Sequence, residues 1–460
     1  MTRLRVAMLT PLPPSRTGIA DYASLILPSL AEAVDLTAFA PDHNEYRGLD
    51  SRGSRISRPF SEYRRAEYDA AIYQLGNNPH HEVMYRQAMA HPGVVVLHDL
   101  VLHHLLVEMT LARGDADGYV AALFESHGDV GAAWAKGRAA GLHSEAGNFL
   151  LPASIALANR SRAVIVHNHY AAGRLQSFGV STPIHVVPHA YSARSAMSDR
   201  HAVRHRLGFT EEARVVGLFG FLTSAKRSEV VLSAFQAARE RLPALRLLVV
   251  GEPAPNIDVH ALAADGVTFT GYVAEEEFGA YYAAVDRLVN LRYPSAGETS
   301  GTLIRAFEAG KPVAVSDYAQ FAELPDSCAV KIPFGPDEIE NLATFMTAPL
   351  DGQAIAAAQR AWLETEARMD LVVAGYLRAL LDAVGERTTR PAGNGVTRAV
   401  PLFPRLTMLS LDRERSSVTL RNDGEVTLRA RVYGQPGYRL IARVLDSNEV
   451  VVEDRWLELP

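Results

Sequence analysis

Residues 290–317 read NLRYPSAGETSGTLIRAFEAGKPVAVSD, and the run divides into strand, loop, helix and strand. The apolar stretch closes near Tyr293, the loop holds Pro294 and Gly297, and PVAVSD opens the next strand. A strand that returns to a parallel neighbour through a helix is the repeating unit of an α/β sheet. Glu298 stands just ahead of the helix, whose first turn is Thr299, Ser300 and Gly301. Free backbone N–H groups and the positive end of the dipole make such a start an anion site, and small residues let a phosphate come close. Glu298 does not suit phosphate; it suits the hydroxyls of a sugar or ribose. The same residues also fit plain N-capping by Thr or Ser.

The alternation continues outward on both sides. RVVGLFGF, ALRLLVVGE, GVTFTGYV and DRLVNLRY read as strands, with SEVVLSAFQAARERL and EEFGAYYAAV as helices between them. Further upstream RVAMLT, DLTAF, YDAAIYQLG, GVVVLHD, RAVIVHN and PIHVVPHA are short apolar strands with polar ends. Ile19, Tyr22, Leu25, Ile26 and Leu30 recur at helical spacing after the first of them. Between about 193 and 212 the composition turns polar and charged, as at a junction. MDLVVAGYLRALLDAV carries Met369, Val372, Val373, Tyr376 and Leu380 on one stripe. After the polar stretch RTTRPAGNGVTR the period changes to two, the pattern of a small all-β module.

Composition sets outer limits. A chain of 460 residues, 48% hydrophobic and 21% charged, is ordinary globular material with room for about three domains. A net charge of −6 argues against a nucleic-acid binder that works by bulk positive charge. Cys328 is the single cysteine, so neither an intrachain disulfide nor a Cys-based zinc site fits, and a reducing cytoplasm does. No uncharged apolar run approaches the ~18 residues of a spanning helix. The expected location is the cytoplasm, with peripheral contact at the inner face of a membrane at most.

Ligands of doubly wound sheets gather at the carboxyl ends of the strands. Here those ends hold Gln74, Asn77, His98, Asp99, His167, Asn168 and His189. Thr17-Gly18-Ile19 begins the first helix after a proline-stiffened loop, where Gly18 allows close backbone approach. GFLTSAKR, residues 220–227, links a strand to a helix, and its Lys226 can meet a diphosphate as a point charge. The chain has only four lysines (Lys136, Lys226, Lys311 and Lys331), which speaks for a functional role here, while a solvated loop lysine is the alternative reading. Neither GxGxxG nor GxxxxGK[ST] is present, which weakens a nicotinamide reading and excludes a P-loop. Adjacent pairs His80-His81 and His103-His104 lack flanking carboxylates and make poor metal ligands.

These residues together resemble a retaining glycosyltransferase of the GT-B fold, family 4. The resemblance runs over roughly 1–385 and rests on the first glycine loop, His98-Asp99, the loop ending at Lys226, VVGE, TGYV and above all ETSG…AGKPV. It implies an α/β protein with two Rossmann-like domains facing a cleft, plus the C-terminal β module. The implied boundaries are an acceptor-side domain at 1–192, a donor domain at 193–366, a crossover helix at 367–386 packing back on the first domain, a linker at 387–402 and the module at 403–460. It implies transfer of a hexose from a UDP- or GDP-linked sugar to a glycan, glycolipid or protein, with neither metal nor cofactor. Donor contacts then fall to Gly18, Phe221, Lys226, Glu298, Thr299, Ser300, Gly301 and Arg305. His98, Lys226 and Glu298 carry the catalytic roles, and Asn77 and Asp99 lie on the acceptor side.

Two positions depart from the family pattern. Alignment on Gly310-Lys311-Pro312 puts Arg305 where a second glutamate belongs, with Glu308 three residues on. The loop arginine expected after Gly220 is Phe221. Phosphate neutralisation then leans on Lys226, with Arg305 or Arg292 compensating. The departures and the β module also motivate a rival reading, an inactive homologue serving as a binding or scaffold subunit. The module is the place for a partner or a second copy of the chain. A segment rich in Arg52, Arg55, Arg58, Arg64 and Arg65 around Phe60 and Tyr63 is either a solvated loop or a contact for anionic headgroups.

Overall fold

In the computed structural model, the described residues are 3–15, 17–41, 56–142, 147–191, 200–254, 264–273 and 275–385, with five strands between 406 and 458. Among them, the first unit is a seven-stranded sheet of order β3-β2-β1-β4-β5-β6-β7. Its strands are β1 (Arg5–Leu9), β2 (Asp35–Ala40), β3 (Ser57–Pro59), β4 (Ala70–Leu75), β5 (Val94–Leu97), β6 (Ala163–Val166) and β7 (Ile184–Val186). Every neighbouring pair is parallel. β4, β5 and β6 are buried throughout, which explains why they are continuous apolar runs rather than alternating ones.

The second unit is a six-stranded parallel sheet of order β10-β9-β8-β11-β12-β13. It comprises β8 (Arg214–Phe219), β9 (Leu245–Val250), β10 (Val267–Phe269), β11 (Arg287–Asn290), β12 (Val313–Ser316) and β13 (Val330–Ile332). Each sheet buries an apolar cluster on both faces, the mark of a doubly wound arrangement. Helix Met369–Val384 follows the second unit but is built into the first. Val372, Tyr376, Ala379, Leu380 and Ala383 share a core with Val6, Met8, Ile72 and Val94. Strands β14 (Leu406–Asp412), β15 (Ser417–Asn422), β16 (Thr427–Tyr433), β17 (Arg439–Leu445) and β18 (Val451–Glu458) pair in sequence as an antiparallel meander. The linker at 387–402 and the junction residues 193–199 lie outside the described residues.

The stretch between β5 and β6 is helical, and its longest helix, Ala116–Ala139, breaks at Gly128 (φ 62°, ψ −147°). Only glycine reaches that backbone region without strain.

Candidate functional site

The loops after β5 and β6 of the first unit meet the segment between β11 and β12 of the second. Leu100 N and Val101 N both donate to the Ala296 carbonyl, at 2.7 and 3.2 Å. The quoted segment thus lies against the end of β5, where His98 and Asp99 stand.

His98 is buried at 8% exposure, and its Nε2–H donates to Gln74 Oε1 at 2.6 Å. Gln74 Nε2 donates in turn to Tyr376 Oη at 3.0 Å, which pairs with Tyr22 Oη at 3.2 Å. The chain Tyr22–Tyr376–Gln74 therefore fixes the His98 ring with Nε2 protonated and Nδ1 as an acceptor. The rings of Tyr22, His98, His167 and His189 lie 4.7–5.8 Å apart between centroids. Burial holds all three imidazoles neutral, His167 down at about 4 and His189 at about 3. These partners were beyond reach in the sequence, because Gln74 lies 24 positions from His98 on the neighbouring strand, and Tyr376, which holds Gln74, lies 278 positions from His98 on the crossover helix.

Asp99 follows His98 in the chain and is half-buried, and its Oδ2 accepts from Asn77 N at 2.7 Å. Burial, then the charge of Glu298, raises its carboxyl to about 7, with the Asn77 N–H and Arg292 opposing. The two carboxylates therefore approach one another across the contact between the units. Asn77, expected on the acceptor side, is occupied with structure: its Oδ1 accepts from His104 N and Leu105 N at 2.8 and 3.1 Å, at the head of helix His103–Met109.

On the second unit, Lys226 is 5% exposed and its Nζ donates to the Phe219 carbonyl at 2.5 Å. Burial pushes its amine well below the ordinary lysine range, Arg292 adds to this and Glu298 opposes it. Gly220 is needed here: its φ is +82°, and a Cβ would lie 2.9 Å from Lys226 Nζ. Phe221 is 49% exposed, so the position where the family pattern puts a cation presents a ring.

Glu298 is not directed outward. Oε1 accepts from Arg292 Nε at 3.0 Å, and Oε2 from Ala296 N at 2.9 Å and Ser295 Oγ at 3.3 Å. Its carbonyl accepts from Gln320 Nε2 at 2.7 Å. Ser300 is the N-cap of helix Gly301–Glu308, its Oγ accepting from Leu303 N, so the capping reading is realised at Ser300. Nothing lies within 4 Å of a Cβ built on Gly18 or Gly301. Both helix starts thus leave room for a ligand. Arg305 stacks over Phe278 at 5.5 Å and its charge reaches His189. Arg305 thus faces the junction of the units, while Arg292 is the guanidinium beside Lys226 and Glu298.

The remaining candidates fall into structural roles. His81 Nδ1 donates to the Gln74 carbonyl, and His103 bonds the Leu151 carbonyl and Tyr119 Oη. Asp115-Ala116-Asp117 has a spacing able to hold a metal, yet Asp115 is a helix N-cap accepting from Gly118 N. Among the described residues, no group of three or more His, Cys, Asp and Glu is placed to hold a metal ion, and no helix is long and apolar enough to cross a membrane. In the basic segment, Arg58 pairs with Glu62, and Arg64 and Arg65 donate to carbonyls of their own stretch. Arg52 and Arg55 lie outside the described residues.

Residues 213–364 match the family described as Glycosyl transferases group 1. The matched residues lie in the second, six-stranded unit. The chain is 28% identical over 228 residues to mannosylfructose-phosphate synthase of Agrobacterium fabrum, covering 45% of this chain and 49% of that protein. It spans about half the length of that curated relative. Among solved structures, sucrose-phosphate synthase from Thermosynechococcus elongatus superposes with a TM-score of 0.57 at 16% identity, over 82% of this chain and 98% of that one. Anabaena HepE in complex with UDP-glucose gives 0.52 at 17% identity, over 82% and 100%. The two-sheet arrangement is thus the GT-B fold.

Proposed function

We propose that this protein is a retaining, metal-independent hexosyltransferase of family 4, drawing on a UDP- or GDP-linked sugar and delivering to a glycan, glycolipid or protein. The observation that carries the reading is the juxtaposition of Lys226 and the Thr299–Gly301 helix start on one unit with His98 and Asp99 on the other. The named activities of the matched relatives and the UDP-glucose held by HepE support it.

In this reading the diphosphate lies between Lys226 and the helix start. Its charge offsets the burial that disfavours the Lys226 ammonium, and Arg292 supplies further positive charge nearby. The acceptor oxygen attacks the anomeric carbon from the face that the leaving group departs. The carbon–acceptor bond forms, the carbon–phosphate oxygen bond breaks, and the departing β-phosphate oxygen takes the acceptor proton. The protein stabilises charge growing on that phosphate. His98, fixed by Gln74, offers Nδ1 to a hydroxyl of the transferred sugar. Glu298 reaches sugar or ribose hydroxyls by exchanging its bonds to Arg292 and Ala296 for them.

A panel of UDP-, GDP- and ADP-sugars in thermal shift tests the donor class, since binding to the native state raises the melting temperature. The proposal expects a shift with UDP- or GDP-sugars that persists in chelator. A chain that binds none of them is better read as a scaffold.

A further inference from the structure

The two units also meet through directed contacts that the chemistry above does not use. Asn168, at the head of helix His169–Ser177, works in two directions. Its Oδ1 accepts from Ala171 N at 2.8 Å and caps its own helix. Its Nδ2 donates to the Gly297 carbonyl at 2.9 Å and Thr299 Oγ1 at 3.3 Å, across the contact between the units. The side chain is buried at 8% exposure, and the two residues it holds flank Glu298 on either side. Glu323, from the second unit, accepts from His169 N at 3.0 Å and from Tyr170 N. Those N–H groups belong to the first turn, where no intrahelical acceptor exists, and a carboxylate there also meets the favourable end of the dipole. Gly297 seats the loop flush: at φ +74°, a Cβ on it would lie 2.9 Å from Leu100 Cβ.

We propose that Asn168 and Glu323 are positioning residues, an interdomain latch that fixes the loop around Glu298 so that Glu298 and the Thr299–Gly301 helix start reach their working place only when the units close. What the loop binds rests on the function proposed above; the latch itself is a statement about how the units are held.

The full chain tests it as wild type, Asn168→Ser and Glu323→Ala. Serine still caps the helix but is too short to bridge to Gly297, and Glu323 is exposed, so both variants should melt near wild type. Small-angle scattering reads closure, and hydrolysis of a UDP- or GDP-sugar reads kcat and KM. The latch predicts a more open population for each variant and a kcat/KM lower by about tenfold, the scale of one or two hydrogen bonds. Variants as compact as wild type with wild-type kcat/KM would overturn it. If the wild type turns over no donor, the function falls, and scattering alone decides the latch: opened variants support it and unchanged ones overturn it.

Discussion

Lys226 sits where three influences compete: burial and Arg292 against its charge, Glu298 for it. In the proposed function a diphosphate resolves the conflict, and one well-aimed donor is worth ~3 kcal/mol of barrier. Lys226→Ala should therefore lose about a hundredfold or more in kcat with the fold intact, measured by steady-state donor hydrolysis. Asp99 makes a prediction about pH. Its folded carboxyl, at about 7, lies above the ordinary value. The folded state thus binds the proton more tightly, and Asp99 costs stability increasingly as pH rises from about 4 to 7, then levelly above. Asp99→Asn keeps an acceptor for Asn77 N and removes the charge. Melting curves should show the variant more stable than wild type at pH 8, with the gap shrinking toward pH 4; a gap that does not change with pH would refute the assignment. At this scale the sequence announces residue types at strand ends, but not their partners. Asn77 reads as a ligand candidate and turns out to hold a helix. Phe221 reads as a gap in the charge, and its exposure leaves that gap open.

Among the elements, helix Met369–Val384 does more than close the core. Through Tyr376 it holds Gln74, and through Gln74 it sets the orientation of His98. Gln74→Leu should lower kcat by about tenfold, the cost of a hydrogen bond to a group left wrongly oriented, with a smaller drop for Tyr376→Phe. Unchanged kcat in Gln74→Leu would mean that His98 needs no such support. The strands were legible because parallel strands buried on both faces are written as unbroken apolar runs, as in Val94–Leu97 and Ala163–Val166. The stripe on residues 369–384 marks an amphipathic helix, yet periodicity does not say which core it joins. Glu323 carries no signal at all in sequence, since its partners are backbone N–H groups more than 150 positions away.

At the scale of the whole molecule, folding places two buried cations of a mildly acidic chain side by side. Lys226 and Arg292 are both buried beside the loop that joins the units. Two parallel sheets could have been drawn from alternation alone, but their facing contact depends on Ala296, Gly297 and Thr299 meeting Leu100, Val101 and Asn168, a pairing that only three-dimensional closure creates. The proposed function makes this meeting a nucleotide-sugar site. Its most direct test is release of free UDP or GDP from a nucleotide-sugar panel by the wild type and by Lys226→Ala, side by side in chelator. The wild type should release nucleotide slowly from at least one UDP- or GDP-sugar, with the rate falling about a hundredfold in the variant. Release at equal rates by both proteins, or none by either, would contradict it.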